Sequence, residues 1–215
     1  MARPDQAVDE APTFVVGRPA RDGGQSPVAR RILDVATPLF YGQGIRAVSA
    51  DVIIEAAEVT KATFYRHFPT KDHLVTSYLL AIVEGERAAV SQWRAQYPDE
   101  PGRVLLAYAR ALIAEVSSPS FRGCPFVNAT AEYPDLSNAV RSAVGLHRAW
   151  LRDTAAELLA ELGVREPQAV AVALIMLRDG AMVAGDGATG WGVSEALLRA
   201  GHTLVRVGLD PVVTD

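Results

Sequence analysis

The stretch VTKATFYRHFPTKDHL, residues 59 to 74, decides the fold because two helices begin within it. Thr60 can cap the start of a short helix, since its hydroxyl can accept a hydrogen bond from a backbone N–H of the first turn. Pro69 stops that helix, and Thr70 caps the next one. Two phenylalanines lie four residues apart, on the face that we expect to pack on a core. A lysine, a tyrosine, an arginine and a histidine remain for the exposed surface.

Two further short helices are predicted before this stretch. The first follows Ser26 and Pro27, a cap and a first-turn residue, and ends at Gly42 and Gly44. The second follows Ser49, and its side chains expected to face the core are Val52, Ile53 and Ala56. A short helix that follows a tight turn from another helix is the layout of a helix-turn-helix. Its second helix can enter the major groove of DNA, which is roughly 12 Å wide.

The segment RRILDVATPLFYGQGIRAVSADVIIEAAEVTKATFYRHFPTKDHLV, residues 30–75, closely resembles the DNA-binding domain of the TetR family of transcriptional regulators. Its most specific part is TKATFYRHFPTKDHL. The resemblance implies an all-helical homodimer with a small DNA-binding domain and a larger ligand-binding domain. It also implies that the residues near base edges are Lys61, Ala62 and Tyr65. Those at the phosphate backbone are Ser49, Thr63, His67 and Lys71, whereas Arg66 is at a variable position and suits either role.

The sequence departs from the TetR pattern at two positions where the family usually has glycine. One is Glu58, in the turn before the third helix. Glycine permits a positive φ there, so Glu58 implies either backbone strain or a different turn. The other is Ala62, whose methyl group limits how closely the helix approaches DNA but could meet a thymine methyl. We expect these departures to change the operator preference and not the fold.

The bulk composition limits the class of protein. The chain has 215 residues, of which 49% are apolar, and a formal net charge of -4. This charge argues against a protein coated with basic groups, although it allows a local basic surface. The single cysteine, Cys124, cannot form an internal disulfide, which suits a reducing cytoplasm. Because no apolar run approaches the roughly 18 residues of a membrane span or forms a signal peptide, we expect a cytoplasmic protein with no membrane partner.

The apolar periodicity predicts an all-α chain of about nine helices. Residues 1–25 carry prolines and glycines without periodicity and are predicted to form a flexible N-terminal arm. Residues 26–72 would form the helix-turn-helix DNA-binding domain. Residues 73–215 would form the larger C-terminal helical domain, which the TetR resemblance assigns to ligand binding and dimerisation. The resemblance also implies that the last two helices form a four-helix interface with a second copy.

The long helix predicted in the C-terminal domain carries His147 in the middle of its apolar stripe. Such a histidine is either a hydrogen-bonded core group or a ligand contact. The TetR family builds its effector cavity from the middle helices, so the resemblance favours an apolar cavity with a few polar anchors. The candidate residues are Tyr108, Phe126, Asn128, His147 and Trp150. Arg178 and Asp179 either pair with each other's helix or line the same cavity.

Cys124, just before Pro125 at a predicted helix start, is a further candidate in this region. The helix dipole can favour its thiolate, which would suit an oxidant or electrophile sensor, or a nucleophile. The simpler interpretation, a small buried residue, is the one we favour. A catalytic role would need a base, and His147 is the only evident one. His67 and His73 have no further ligand at fitting spacing, so we expect neither a metal site nor a cofactor.

The sequence therefore predicts a one-component transcriptional regulator and not an enzyme. In this hypothesis a homodimer represses transcription from a palindromic double-stranded operator and is released by a small-molecule effector. Two alternatives remain open. One is a small-molecule-binding or catalytic helical protein that uses the C-terminal cavity, and the other is a regulator without ligand control.

Overall fold

A computed structural model describes residues 26–185 and 192–209, so the predicted N-terminal arm lies outside the described part of the chain. All regular structure in the described residues is helical, which confirms the all-α prediction, and the nine helices there match the predicted number. They are α1 (Pro27–Gln43), α2 (Ala50–Ala56), α3 (Lys61–His67), α4 (Lys71–Gln96), α5 (Pro101–Val116), α6 (Pro125–Glu132), α7 (Ala139–Glu161), α8 (Pro167–Ala184) and α9 (Val193–Leu209).

Helix α1 begins where the sequence predicts. The Ser26 hydroxyl accepts a hydrogen bond from the Ala29 N–H, and Pro27 occupies the first turn, where its missing N–H is not needed. The helix is ended by Gly44, which has a φ of 92°, a value that residues other than glycine rarely adopt. Gly42, predicted to end the helix, lies inside its last turn. One glycine with a positive φ is therefore sufficient to stop α1.

Helices α1 to α3 and the start of α4 pack around one end of an apolar core that continues into the C-terminal helices. The largest buried side chains at this end are Ile32, Leu33, Phe40, Ile53, Phe64, Phe68, Leu74 and Tyr78. The prediction that Val52 and Ala56 face this core was wrong, because both are exposed. The buried side chains here are Ile53 of the seven-residue α2 and Ala57, the residue that ends it, four positions apart, since α1 and α3 cover only that stripe.

The turn between α2 and α3 contains the predicted irregularity. Glu58 has a φ of 51°, in the left-handed region. Its N–H donates to the Glu55 carbonyl at 3.0 Å, and the Val59 N–H donates to the Ile54 carbonyl at 3.2 Å. These two hydrogen bonds form a Schellman motif, in which the left-handed position is usually glycine. The structure therefore agrees with the first of the two expectations for Glu58, backbone strain. The turn is the usual one, but glutamate occupies the left-handed position in place of glycine.

Helix α4 connects helices α1–α3 to the C-terminal helices; α1 to α3 and the first turns of α4 are called the DNA-binding unit below, after their predicted role. At its first turns, Leu74 and Tyr78 are buried in the core described above. Near its far end, Val90 is buried in a separate cluster with Val104 of α5 and Leu158 of α7. One 26-residue helix therefore has its two ends in different apolar cores.

Helix α8 has an unusual distribution of apolar residues. By length and composition alone, it is the one helix in the described ranges that could span a membrane. Of its 18 residues, 22% are buried. Three large apolar residues on it are exposed: Val172, Met176 and Val183. Their spacings of four and seven put them on one face. We call this outward face, formed by Val172, Met176 and Val183, the α8 face.

Candidate DNA interface and effector cavity

The outer surface of α3 has a rigid base. Phe64 and Phe68 are 0% and 1% exposed and pack into the core beneath it. The Tyr65 ring lies edge-on to Phe64 with centroids 5.2 Å apart, yet 40% of Tyr65 stays exposed. A helix that reads the major groove needs such support below and polar or aromatic groups above. The exposed residues of α3 are Lys61, Ala62, Tyr65 and Arg66.

Lys61 is held by a residue of the preceding helix. Its Nζ lies 3.0 Å from Oδ1 of Asp51, and both side chains are well exposed. The hydrogen bond to this carboxylate raises the pKa of Lys61. A DNA atom that binds the Lys61 ammonium must therefore compete with Asp51 for it.

The helices of the DNA-binding unit begin with hydroxyl caps. Ser49, Thr60 and Thr70 each accept a hydrogen bond from a backbone N–H in the first turn of α2, α3 and α4. Thr60 also donates to the Thr63 hydroxyl at 3.0 Å, so Thr63 keeps its own proton for another acceptor. These caps fix the helix ends whose remaining N–H groups attract anions.

Lys71, in the first turn of α4, is partly buried. Its Nζ donates to the Arg46 carbonyl at 3.5 Å and lies 5.9 Å from the centre of the Phe40 ring. Burial lowers the pKa of Lys71, and the nearby carboxylates of Glu132 and Asp72 partly oppose this. The ammonium group thus lies beside the positive end of α4, where a phosphate would gain from both.

His67 does not lie where the sequence prediction required. We expected it on the exposed surface at the phosphate backbone, but it is 9% exposed. It follows Phe64 by three residues and therefore shares the buried face of α3. His73 is exposed and its Nδ1 lies 2.8 Å from the Thr70 hydroxyl. Among the residues that the structure describes, no three potential ligands form a metal-holding group.

Glu132, the last residue of α6, joins the C-terminal helices to the DNA-binding unit. Its Oε1 accepts a hydrogen bond from the Ile45 N–H at 3.0 Å, and its Oε2 accepts one from the Arg46 N–H at 2.6 Å. Both N–H groups belong to the turn between α1 and α2, and bonds from a carboxylate to two such donors are strong. We call this contact the Glu132 clamp. Sequence analysis missed it because its partners are backbone groups more than 80 residues earlier.

A second carboxylate strengthens the same junction. Asp72, in the first turn of α4, accepts a hydrogen bond from the Tyr133 hydroxyl at 3.0 Å and another from the Asn138 side chain at 2.8 Å. The Tyr41 hydroxyl of α1 accepts a bond from the Arg122 N–H at 2.9 Å. Segments on both sides of α6 therefore hold the DNA-binding unit, at α1 as well as at α4.

A cavity of about 350 Å³ lies among α5, α7, α8 and α9. Four of its lining residues carry polar side-chain atoms: Tyr108, Thr154, Arg178 and His202. Most of the wall is aliphatic and includes Leu105, Leu112, Leu158, Leu174, Leu177 and Leu197. Of the residues proposed for ligand binding from the sequence, Tyr108 and Arg178 line this cavity.

Arg178 is the centre of a buried polar network beside the cavity. Its Nε donates to the Tyr108 hydroxyl at 2.9 Å, its Nη1 lies 3.0 Å from Asp179 Oδ1, and its Nη2 lies 3.8 Å from Glu86 Oε1. Asp179 also pairs with Arg148 at 2.8 Å. Burial alone would lower the pKa of Arg178, but Tyr108, the Cys124 thiol and Glu86 outweigh it and raise the pKa. Burial also raises the pKa of Tyr108. Arg178 therefore both lines the cavity and pairs, whereas Asp179 pairs and is not part of the wall.

His147 is a core residue and does not line the cavity, so its assignment there was wrong. It is 1% exposed, its Nε2 lies 3.1 Å from Glu86 Oε2, and its ring stacks on Phe126 with centroids 3.6 Å apart. Phe126 and Trp150 were misassigned with it: neither lines the cavity, and the Trp150 ring lies 6.0 Å from that of His147. The physical reason is Glu86, because this carboxylate from α4 holds Nε2 of the imidazole inside the core.

Cys124 and Asn128 have local roles at the start of α6 and also lie outside the cavity wall. Cys124 is the N-cap residue, is 2% exposed, and its Sγ lies 3.6 Å from Arg178 Nη1. The Asn128 side chain donates to the Arg122 carbonyl at 3.0 Å and so fixes the preceding loop. His147 and Cys124 make no hydrogen bond with each other, although both are within the described residues. The favoured interpretation of Cys124 as a small buried residue agrees with its position.

Comparison with known proteins identifies the family. Residues 32–78 match the family model for bacterial regulatory proteins of the tetR family. A crystal structure of a TetR-family transcriptional regulator from Streptomyces coelicolor is 43% identical, with a TM-score of 0.79, over 85% of this chain and 96% of that one. The chain belongs to the TetR family of transcriptional regulators. A TetR-family regulator binds DNA and is not an enzyme, so the catalytic alternative is excluded.

Other relatives agree with this TetR assignment. A TetR-family regulator from Agrobacterium tumefaciens shares the fold at 22% identity, with a TM-score of 0.70 over 83% of this chain and 96% of that one. The HTH-type transcriptional repressor DhaR of Mycobacterium sp. (strain GP1) is 27% identical over 118 residues, 55% of this chain. The HTH-type transcriptional regulator YvkB of Bacillus subtilis (strain 168) is 42% identical over 53 residues, 25% of this chain. The matches span 58% of DhaR and 28% of YvkB.

Proposed function

We propose that this TetR-family regulator represses transcription as a homodimer on a palindromic operator and leaves it when a small molecule fills the C-terminal cavity. The observation that carries the proposal is the apolar cavity of about 350 Å³ in a TetR-family chain whose α3 has one buried and one exposed face. Protein interiors are otherwise close-packed, and unfilled apolar volume destabilises them. A cavity of this size therefore favours a regulator that is controlled by a ligand over a regulator without ligand control. The name of DhaR, a repressor, supports the direction of control.

Operator recognition is assigned to the exposed residues of α3 and to the helix ends around it. Lys61, Ala62 and Tyr65 approach base edges, because their side chains project from a helix whose opposite face is buried. The phosphate contacts fall to Ser49, Thr63 and Lys71, with Arg66 in either role. His67 is left out of this set since it is buried. These are positions at which hydroxyl, ammonium and backbone N–H groups can bind a polyanion.

The α8 face supports the homodimer. Val172, Met176 and Val183 are 45%, 70% and 71% exposed and lie on one side of a helix that is rich in apolar residues. Exposed apolar surface of this kind marks an interaction site. A second copy is the occupant that a two-fold operator requires, because two α3 helices must reach half-sites about 34–36 Å apart.

Two routes connect the cavity to α3. Val90 of α4 lines the cavity, and the other end of α4 lies in the DNA-binding core. Arg178 also lines the cavity and contacts Cys124, which begins α6, and α6 ends at the Glu132 clamp. A ligand that displaces Arg178 or Val90 can thus move the DNA-binding unit. Coupling of about 1–3 kcal/mol would weaken operator binding roughly 5- to 150-fold.

The dimeric repressor is tested by fluorescence anisotropy on the DNA that flanks its own gene. Wild type should bind as a dimer on a pseudo-palindrome, and Met176→Glu should lose both dimerisation in sedimentation equilibrium and operator affinity. The matched control is Ala111→Glu, which adds the same charge at an exposed position of α5. Full affinity of a monomer for one unrepeated half-site would contradict the proposal.

Effector release is tested by reciprocity. Any compound that binds the cavity should weaken operator binding, and the operator should weaken binding of that compound by the same factor. Titrating each in the presence of the other gives both factors. If both equal one for every compound that binds the cavity, release by a ligand is wrong.

A further inference from the structure

The walls of the cavity restrict the size and polarity of its ligand. An engineered apolar cavity of roughly 150 Å³ binds benzene, and ligand sites generally begin at about 300 Å³. The volume here, about 350 Å³, therefore fits a compound of about two fused rings. Because leucine and valine side chains form most of the wall, the greater part of that compound must be apolar.

We call Tyr108 and Arg178 the polar corner of this wall, and the Tyr108 hydroxyl is a hydrogen-bond donor there; Thr154 of α7 and His202 of α9 are the other polar lining residues. The Tyr108 hydroxyl accepts a hydrogen bond from Arg178 Nε at 2.9 Å. A phenol can both accept and donate, and within the described residues the Tyr108 hydroxyl makes no bond in which its own proton is used. That proton is available to an acceptor on a ligand. Such a bond would contribute orientation as well as affinity, since the rest of the wall is almost entirely apolar.

The charges at the same corner exclude an anionic ligand. Arg178 carries one positive charge, and both Asp179 and Glu86 lie close to its guanidinium group, at 3.0 and 3.8 Å. The second bond of Asp179 is to Arg148. The two cations, Arg178 and Arg148, are therefore matched by the two carboxylates, Asp179 and Glu86. A third carboxylate, Glu115, is also close: burial raises its pKa, and of the nearby charges Arg178 lowers that pKa and Glu86 raises it. A ligand carboxylate would have no unmatched cation there and would be desolvated at a cost.

We propose that the cavity binds a neutral, largely apolar compound of about two rings with one hydrogen-bond acceptor, such as a ketone carbonyl, seated on the Tyr108 hydroxyl. This inference rests on the proposed function, because it takes the cavity as the effector site. Tyr108 is then the residue that distinguishes the effector from a hydrocarbon of the same shape. Arg178 holds the Tyr108 oxygen and so directs its proton into the cavity.

Three probes of one shape test the ligand class by calorimetry on the full chain without DNA. They are 2-acetylnaphthalene, which is neutral with an acceptor, 2-ethylnaphthalene, which lacks the acceptor, and 2-naphthoate, which is an anion. Wild type should bind 2-acetylnaphthalene about tenfold more tightly than 2-ethylnaphthalene, as expected for one additional hydrogen bond. It should bind 2-naphthoate most weakly. In Tyr108→Phe the first two affinities should agree within about twofold, while that of 2-ethylnaphthalene stays near the wild-type value.

A variant that fills the cavity locates the probes. A Cβ built at Gly201 meets only Leu174 and Leu177 side-chain atoms, at 3.8 and 3.9 Å, so Gly201→Leu can be accommodated and should abolish binding of all three probes. Equal wild-type affinity for the ketone and the hydrocarbon, tightest binding of 2-naphthoate, or no binding of any probe would overturn the proposal. The comparison of probes on wild type stands even if a variant fails to fold.

The same probes separate this inference from the proposed function. If 2-acetylnaphthalene binds with the expected preference but leaves operator affinity unchanged, the ligand class stands and release by a ligand fails. If 2-naphthoate is the probe that binds and releases DNA, release stands and the neutral ligand class is wrong.

Discussion

The surface of α3 and the polar corner of the cavity both present a cation held by a carboxylate, but in opposite surroundings. Lys61 and Asp51 pair in water, with side chains 65% and 75% exposed. Arg178 pairs with Asp179 and Glu86 while its side chain is 7% exposed. An exposed pair contributes little to stability and is easily exchanged for a phosphate, whereas a buried pair cannot be broken without leaving a desolvated charge. The first arrangement suits reversible DNA binding, and the second suits a fixed frame around a ligand.

The largest expected effect comes from breaking the buried arrangement. Arg178→Met leaves Glu86 and the Tyr108 hydroxyl without their cationic partner, so we expect a loss of about 3 kcal/mol in the free energy of unfolding. Chemical denaturation monitored by circular dichroism measures it. The double variant Arg178→Met with Glu86→Gln should recover part of the loss, because it removes the uncompensated charge while the glutamine amide keeps a hydrogen-bonding group beside His147 Nε2. The matched exposed variant, Lys61→Met, should leave the denaturation midpoint unchanged.

The Glu132 clamp lies between these two regions and should give the next largest effect. Glu132→Gln keeps the shape of the side chain but can accept only one strong hydrogen bond from the turn between α1 and α2. We expect this to cost about 2 kcal/mol, because one charge-assisted bond is lost and the other becomes an ordinary neutral bond. Amide hydrogen exchange should become faster at Ile45 and Arg46 before it does in the C-terminal core. Glu161→Gln, which breaks an exposed pair with Arg94, is the control and should leave exchange in that turn unchanged.

These particular residues indicate how much the sequence could predict. The caps and the buried face of α3 depend on neighbours within a few positions, so Thr60 and Phe64 were predicted, and the turn at Glu58 was predicted to be either strained or different from the usual one. The clamp depends on backbone N–H groups 86 and 87 residues away, and no local pattern reports them. His147 was assigned to the cavity because its partner Glu86, on another helix, could not be inferred from the apolar stripe.

On the exposed surface of α3, removal of the Tyr65 hydroxyl should weaken operator binding without changing the stability of the protein. Tyr65→Phe keeps the ring that packs on Phe64 and removes the group assigned to a base edge. We expect operator affinity to fall about tenfold, as for one base contact, with nonspecific affinity and thermal stability unchanged. Anisotropy with operator and scrambled DNA provides the two affinities. An equal loss on both DNAs would place Tyr65 at the phosphate backbone.

The smallest expected effect sharpens the contrast between the two ion pairs. Asp51→Asn removes the internal competitor for the Lys61 ammonium, so DNA of any sequence should bind a few-fold more tightly at low salt. The gain should disappear as salt is raised, since an exposed charge is screened. Measuring affinity across a salt series checks this, with Asp34→Asn, which breaks an exposed pair on α1, as the control for the change in net charge. An identical gain in the control would mean that net charge alone is responsible.

The cavity also has a volumetric consequence. Hydrostatic pressure shifts an equilibrium toward the state of smaller volume, and internal voids disappear when a chain unfolds. The cavity of about 350 Å³ between α5, α7, α8 and α9 should therefore lower the pressure at which the ligand-free regulator unfolds. A bound effector replaces that void with matter, so the loaded protein should be less compressible than the free one.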